Sequence, residues 1–159
     1  MRFLTLTLSL MLLAPLVHGA DSDSIESITK ALYDTISGPA GTRDWDRFRS
    51  LFADGGRLVT MVNGKSTVFT VDEYIKRAGG NMSRGGFFES EVARRVESFG
   101  KMAHVFSTFE SRTEPKAQPF ERGINSFQLV KEASGWKVLT ILWDNEHSSG
   151  VLPEKYLKN

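Results

Sequence analysis

The stretch Phe87–Arg112, FFESEVARRVESFGKMAHVFSTFESR, decides how the rest of the chain reads. Its second half, AHVFSTFESR (103–112), alternates in the two-residue period of a β-strand, and its first half does the same on the other side of Phe99-Gly100. A two-residue turn there pairs even positions on one strand with odd positions on the next. One face then collects Phe88, Val92, Val96, Ala103, Val105 and Phe109. The other collects Glu89, Glu91, Arg95, Glu97, His104, Thr108, Glu110 and Arg112. A three-residue turn would mix apolar and polar residues on both faces, so burial disfavours it. The stretch is a long antiparallel hairpin with one face turned to a core.

The pattern continues downstream. Arg122–Lys131 and Trp136–Trp143 read as two further strands joined through EASG, with Lys131 opposite Trp136. That register sets Leu129 against Val138, Phe127 against Thr140, Asn125 against Leu142 and Gly123 against Asp144. This face is the more apolar and is expected inside.

Upstream, the period changes. DSIESITKALYDTISGP places Ile25, Ile28, Leu32 and Ile36 at helical spacing, with Asp23 and Glu26 as a capping box and Gly38-Pro39 as a stop. DWDRFRSLFADGG puts Trp45, Phe48, Leu51 and Phe52 on one stripe, capped by Asp44 and ended by Gly55-Gly56. RLVTMVNGKSTVF is a hairpin about Asn63-Gly64. TVDEYIKRAGG is a short helix capped by Thr70 and Glu73. The Asp44/Asp46 pair suits a helix start better than catalysis. GGNMSRGG, with a chance glycosylation sequon at Asn81, reads as a flexible loop over a pocket mouth.

Helices followed by a long antiparallel meander make an α+β domain, with helices on one face of a curved sheet. The helix order, DWDRFRSLFADGGRLV, and the final GWKVLTILWDNE resemble the nuclear transport factor 2-like superfamily, closest to its SnoaL-like branch. The resemblance implies a cone-shaped α+β fold: a strongly curved, mainly antiparallel sheet wrapped around about three N-terminal helices, with a cavity at the wide end. It also implies homodimers through the outer sheet face. That fold carries isomerases, cyclases, hydrolases, dehydratases and pure binding proteins, so it does not select among them.

The ends and the composition bound the rest. MRFLTLTLSLMLLAPLVHG has an early charge at Arg2, a short apolar run and small residues before Gly19, the layout of a secretory leader. The expected organisation is a signal peptide over 1–19, a nuclear transport factor 2-like domain over 20–147 and a tail over 148–159. Cleavage after residue 19 of the 159 leaves 140, enough for one core. The product would be exported, periplasmic or secreted. No cysteine is present, which excludes disulfides and thiol chemistry. With 20 basic and 19 acidic side chains, no basic excess marks a nucleic-acid binder, and no membrane association is expected after cleavage.

Candidate site residues are the polar exceptions on the inner face: Arg94, Ser107, Asn125, Thr140 and Asp144, with Tyr33 and Trp45 on helices that close the cavity. A buried charge there needs a partner or a wet cavity. Arg94 reads either as an ion-pair partner, for instance of Asp144, or as the polar end of an apolar pocket. His104 reads as an outer-face residue near Glu97 or Arg95, and no ligand set for a metal is apparent. Phe106 and Trp143 are expected on the outer face, in a dimer contact. Two function classes follow. One is binding of a small, partly apolar ligand without catalysis. The other is a cofactor-free isomerase, cyclase or hydrolase, with Asp144 as acid–base and Arg94 or Asn125 stabilising negative charge.

Overall fold

The computed structural model describes residues 21–158, so the expected leader over 1–19 lies outside the described residues. Among the described residues four helices and six strands follow in the order α1 (Ile25–Ile36), α2 (Trp45–Ser50), β1 (Phe52–Val62), β2 (Lys65–Thr70), α3 (Val71–Met82), β3 (Phe88–Phe99), β4 (Met102–Arg112), β5 (Glu121–Glu132), β6 (Gly135–Asn145) and α4 (Glu146–Ser149). The strands form one open sheet in the order β2-β1-β6-β5-β4-β3. All neighbours are antiparallel except β1 and β6, which run parallel. Among the described residues no helix is long and apolar enough to cross a membrane.

Local chemistry accounts for most boundaries. Ser24 caps α1 by a reciprocal box with Ser27, one residue later than the Asp23/Glu26 pair expected from spacing. Thr70 and Glu73 form the expected box on α3. Asn63 and Gly64 both have positive φ, 51° and 73°, as a type I′ turn requires. The apolar stripe of α2 does not run on to Gly55-Gly56. The helix stops at Ser50, and Phe52–Gly56 already belongs to β1. The expected glycine-rich loop is shortened likewise, because residues 79–82 extend α3, where Gly79 lies against the Trp45 ring.

One face of the sheet and the helices share a core of Ile28, Leu32, Phe48, Leu51, Leu58, Val105, Phe109, Phe127 and Val138. Burying such side chains supplies ~1.5–3 kcal/mol each against the entropy of ordering the chain.

Two bulges correct the register read from the sequence. The β3–β4 hairpin turns at Gly100-Lys101, with Phe99 opposite Met102, and Arg94 faces Ser107 as expected. Between Glu91 and Ala93 the register shifts by one: Ala93 pairs with Thr108, whereas Glu91 pairs with Phe109 and Glu89 with Ser111. Val92 is the extra residue. Below it every side chain changes face, so Glu89 and Glu91 turn inward and Phe88 turns outward. The second bulge lies in β6. Leu129 pairs with Val138 but Gln128 with Thr140, leaving Leu139 over. Ile141 and Trp143 therefore face inward, and Thr140, Leu142 and Asp144 face outward. The expected inner positions of Thr140 and Asp144, and the outer position of Trp143, are corrected by this one residue.

The outer face is partly covered by the chain's own tail. A turn of 3-10 helix at Glu154–Tyr156 lays the Tyr156 ring 5.0 Å from Phe106, and the Thr108 hydroxyl donates to the Tyr156 carbonyl at 2.5 Å. Phe106 is thus on the expected face, with Tyr156 packed against it.

Candidate functional site: a cavity with an acidic end

The helices and the inner face of the sheet enclose a cavity of about 130 Å³. Leu32 and Ile36 from α1, Phe48 from α2, Leu58 from β1 and Phe109 and Phe127 from the sheet make apolar walls. Tyr74, Phe87 and Trp143 stand at its mouth and also line an adjoining groove of about 450 Å³ between α3 and the first hairpin. Glu89, Glu121 and Asn125, with Tyr33 beside them, form the polar end.

A directed hydrogen-bond chain holds that end. Arg94 pairs with Glu91 through Nε at 2.9 Å and Nη2 at 2.5 Å. Ser107 donates its hydroxyl to the other Glu91 oxygen at 2.6 Å. Its proton committed, Ser107 accepts from the Tyr33 hydroxyl, also at 2.6 Å. Tyr33 in turn accepts from Asn125 Nδ2 at 3.2 Å, and the same amide nitrogen donates to Glu89 Oε1 at 3.2 Å. Ser111 donates to Glu89 Oε2 at 2.8 Å. The sequence of donors fixes the Asn125 amide with its nitrogen toward Tyr33 and Glu89.

Electrostatics single out Glu89. Burial pushes its carboxyl up to about 7; the Glu121 charge adds to this, while hydrogen bonds from Ser111 and Asn125 work against it. Its polar partners among the described residues are neutral donors, and none of their ion pairs includes it. Burial, and then the Glu89 charge, also hold the Tyr33 phenol above its ordinary value. Glu89 can therefore hold or give up a proton near neutral pH.

The residues expected at the site separate into three groups. Tyr33 and Asn125 line the cavity. Ser107 and Arg94 are on the inner face but stand behind Tyr33, joined to Glu91 rather than to Asp144. Thr140 and Asp144 are on the outer side of β6. Asp144 accepts from the Asn145 backbone at 2.9 Å and from the Ser148 and Ser149 hydroxyls, which hold its pKa below the usual value. It ties down the start of α4 and is poorly suited as a base. Trp45 packs edge-on against Phe48 at 5.8 Å, so α2 closes the cavity through Phe48 instead. His104 lies on the outer face, opposite Glu97 in the ladder, with Nε2 2.9 Å from the Ser126 hydroxyl. No cluster of three or more metal-ligating side chains occurs among the described residues.

Sequence parity alone assigned Glu89, Glu91 and Glu121 no role. The one available signal was a run of hydroxyl and amide groups, Ser107, Ser111 and Asn125, on a face otherwise apolar. Such groups need polar partners across the ladder.

The architecture has solved counterparts. A nuclear transport factor 2-like protein of unknown function from Pseudomonas putida superposes with a TM-score of 0.61 at 11% identity, covering 76% of this chain and 82% of that one. The chain has the nuclear transport factor 2-like fold. A dehydratase candidate of that family from Streptomyces avermitilis gives 0.60 at 16% identity, with 81% and 94% covered. A ketosteroid isomerase candidate from Shewanella frigidimarina gives 0.54 at 18% identity, with 74% and 91% covered. No protein-family model and no curated protein matches the sequence. These likenesses carry the fold; the side chains must carry the function.

Proposed function

We propose that this nuclear transport factor 2-like chain binds a small, partly apolar molecule in the inner cavity and that Glu89 exchanges a proton with it. The observation that carries the reading is the Glu89 carboxyl, raised to about 7, at the polar end of a cavity whose other walls are aromatic and aliphatic. Apolar walls surround that end, so one hydrogen bond or proton transfer to a ligand weighs more there than at the surface. NMR titration of a neutral fragment library, read on Tyr33, Asn125 and Trp143, tests it. Shifts confined to the outer face would defeat the proposal.

A second reading has Glu89 act as the acid–base group of a cofactor-free enzyme, replacing the outward-facing Asp144 in that role. Its raised pKa favours this, since a proton-transfer group works best near the ambient pH. Two solved relatives of the fold are described as an isomerase and a dehydratase candidate, both proton-moving reactions. Deuterium exchange into cyclic ketones, abolished by Glu89→Gln, is the expected signature.

Export by the leader and pairing through the outer face belong to the same proposal. With Trp143 turned inward, the row Val68–Val59–Leu142 would supply the apolar contact, because those three residues adjoin across β2, β1 and β6. N-terminal sequencing of the exported product should begin near Ala20 or Asp21, and light scattering should give twice the chain mass.

A further inference from the structure

We infer that the inner cavity selects a small amine in its protonated form, held by Glu89, Glu121 and the carbonyl oxygen of Asn125 within a ring of aromatic faces. This rests on the reading of the cavity as a ligand site and adds the ligand's charge and hydrogen-bonding sense.

Charge comes first. The cavity lining includes two carboxyl side chains, Glu89 and Glu121, and no lysine, arginine or histidine. Arg94, expected to receive an anionic group, is engaged with Glu91 behind Tyr33. An anion placed at the polar end would meet Glu121 and, whenever it is ionised, Glu89, with no cation in the lining to compensate, which costs more than at the surface.

Hydrogen-bonding sense points the same way. Asn125 is 7% exposed, and its nitrogen is committed to Tyr33 and Glu89. Its carbonyl oxygen has no donor among the described residues, yet no described side-chain polar atom is both buried and unpartnered, so that oxygen opens on the cavity. Glu121 receives Asn145 Nδ2 on one oxygen at 2.7 Å, and its other oxygen has no donor among the described residues. Glu89 has lone pairs beyond those used by Ser111 and Asn125. The polar end therefore offers acceptors on three side chains. A ligand that satisfies them must bring several donors on one atom, as an ammonium does.

The walls suit the rest of such a molecule. Phe48, Tyr74, Phe87, Phe109 and Trp143 line the cavity, and aromatic faces attract a desolvated cation. A volume of about 130 Å³ matches one ring or a short chain, since engineered cavities of ~150 Å³ accept benzene.

Charge coupling gives the test. The groups facing Glu89 are Tyr33 on α1, Tyr74 on α3, Ser111 on β4 and Asn125 and Glu121 on β5; on its other side Glu89 borders an exterior groove that it shares with Glu26, Lys30 and Asp34 of α1 and with Glu91 and Arg94 of its own strand. Glu89, its carboxyl pushed up to about 7 by burial, titrates between pH 6 and 8. A bound ammonium holds it ionised, so binding at pH 6 must expel its proton.

Isothermal titration calorimetry with benzylamine, benzyl alcohol and benzoate reads this directly. Benzylamine should tighten about tenfold from pH 6 to pH 8 and release about 0.9 proton per molecule bound at pH 6, measured from heats in buffers of different ionisation enthalpy. Glu89→Gln should remove both effects and weaken benzylamine at least tenfold. Glu121→Gln should weaken it several-fold while leaving benzyl alcohol unchanged. Asp144→Asn, on the outer surface, should change neither. Benzyl alcohol or benzoate binding as tightly as benzylamine, or benzylamine binding without proton release, overturns the inference. If benzyl alcohol alone binds, only the amine assignment fails; if none of the three binds, the cavity reading fails with it.

Discussion

Glu89 lies directly across the β3–β4 ladder from Ser111, and its carboxylate accepts that serine's hydroxyl at 2.8 Å. Five residues further along β3, on the same inner face, Arg94 lies across from Ser107. The two pairs are offset by one position because Val92 is bulged between them. The bulge brings Glu89, Glu91 and Arg94 to one face, which an unbroken alternation forbids. An acid for the cavity and an ion pair behind it thus come from six consecutive residues, Glu89 to Arg94.

Stability should depend on the Glu89 proton. Its pKa is raised from 4.5 unfolded to about 7 folded, so the native state binds the proton more tightly. The stabilisation is complete below pH 4.5 and is lost as pH rises through 7. Its size is at most ~3 kcal/mol, reduced by whatever water the cavity admits. Glu89→Gln should therefore stabilise the fold at pH 8 and leave it unchanged at pH 4.5. Urea denaturation at the two pH values checks the sign; a variant less stable at pH 8 would contradict it.

Arg94→Met should act on stability rather than on the ligand. Glu91 would keep Ser107 but lose its guanidinium partner while still half-buried, at a cost of ~1–2 kcal/mol. Adding Glu91→Gln should recover most of the loss. A double-mutant cycle followed by thermal unfolding measures the coupling, and unchanged binding of cavity ligands separates this from a site role.

Tyr33→Phe removes the hydroxyl that links Ser107 to Asn125 while sparing the edge-on contact with Phe127 at 6.1 Å. The expected loss is ~1–2 kcal/mol, from a buried amide and a serine left short of partners. A looser Asn125 should also show as faster side-chain amide exchange in NMR.

Gly123→Ala should be among the more damaging small substitutions. A Cβ there would sit 2.2 Å from the Asp144 carbonyl oxygen and 2.8 Å from the Phe109 ring. Backbone cannot give way as a flexible side chain can, so ~1–3 kcal/mol should be lost. Circular dichroism melting against the wild type is sufficient. A neutral result would mean that β5 and β6 separate easily at that point.

The sequence by itself determined the element order, the hairpin at Asn63-Gly64, the capping box on α3 and the curved sheet against helices. Each of these rests on residues close in the chain: a turn that needs positive φ, a threonine three residues from a glutamate, an alternation of apolar and polar positions. It also brought Tyr33 and Asn125 to the cavity, because no bulge intervenes on their elements. What only the tertiary structure decided is the chemistry at the end of that cavity. Val92 and Leu139 each add one residue to a strand, and nothing in their side chains announces it. A bulge is selected by the sum of packing on both faces of the sheet: the one in β6 turns Trp143 inward, while the one in β3 turns Glu89 and Glu91 inward and Phe88 out. With a side-chain period of two, a single such residue exchanges the inner and outer sets, which is why Asp144 was expected where Trp143 stands and Glu89 was expected in solvent.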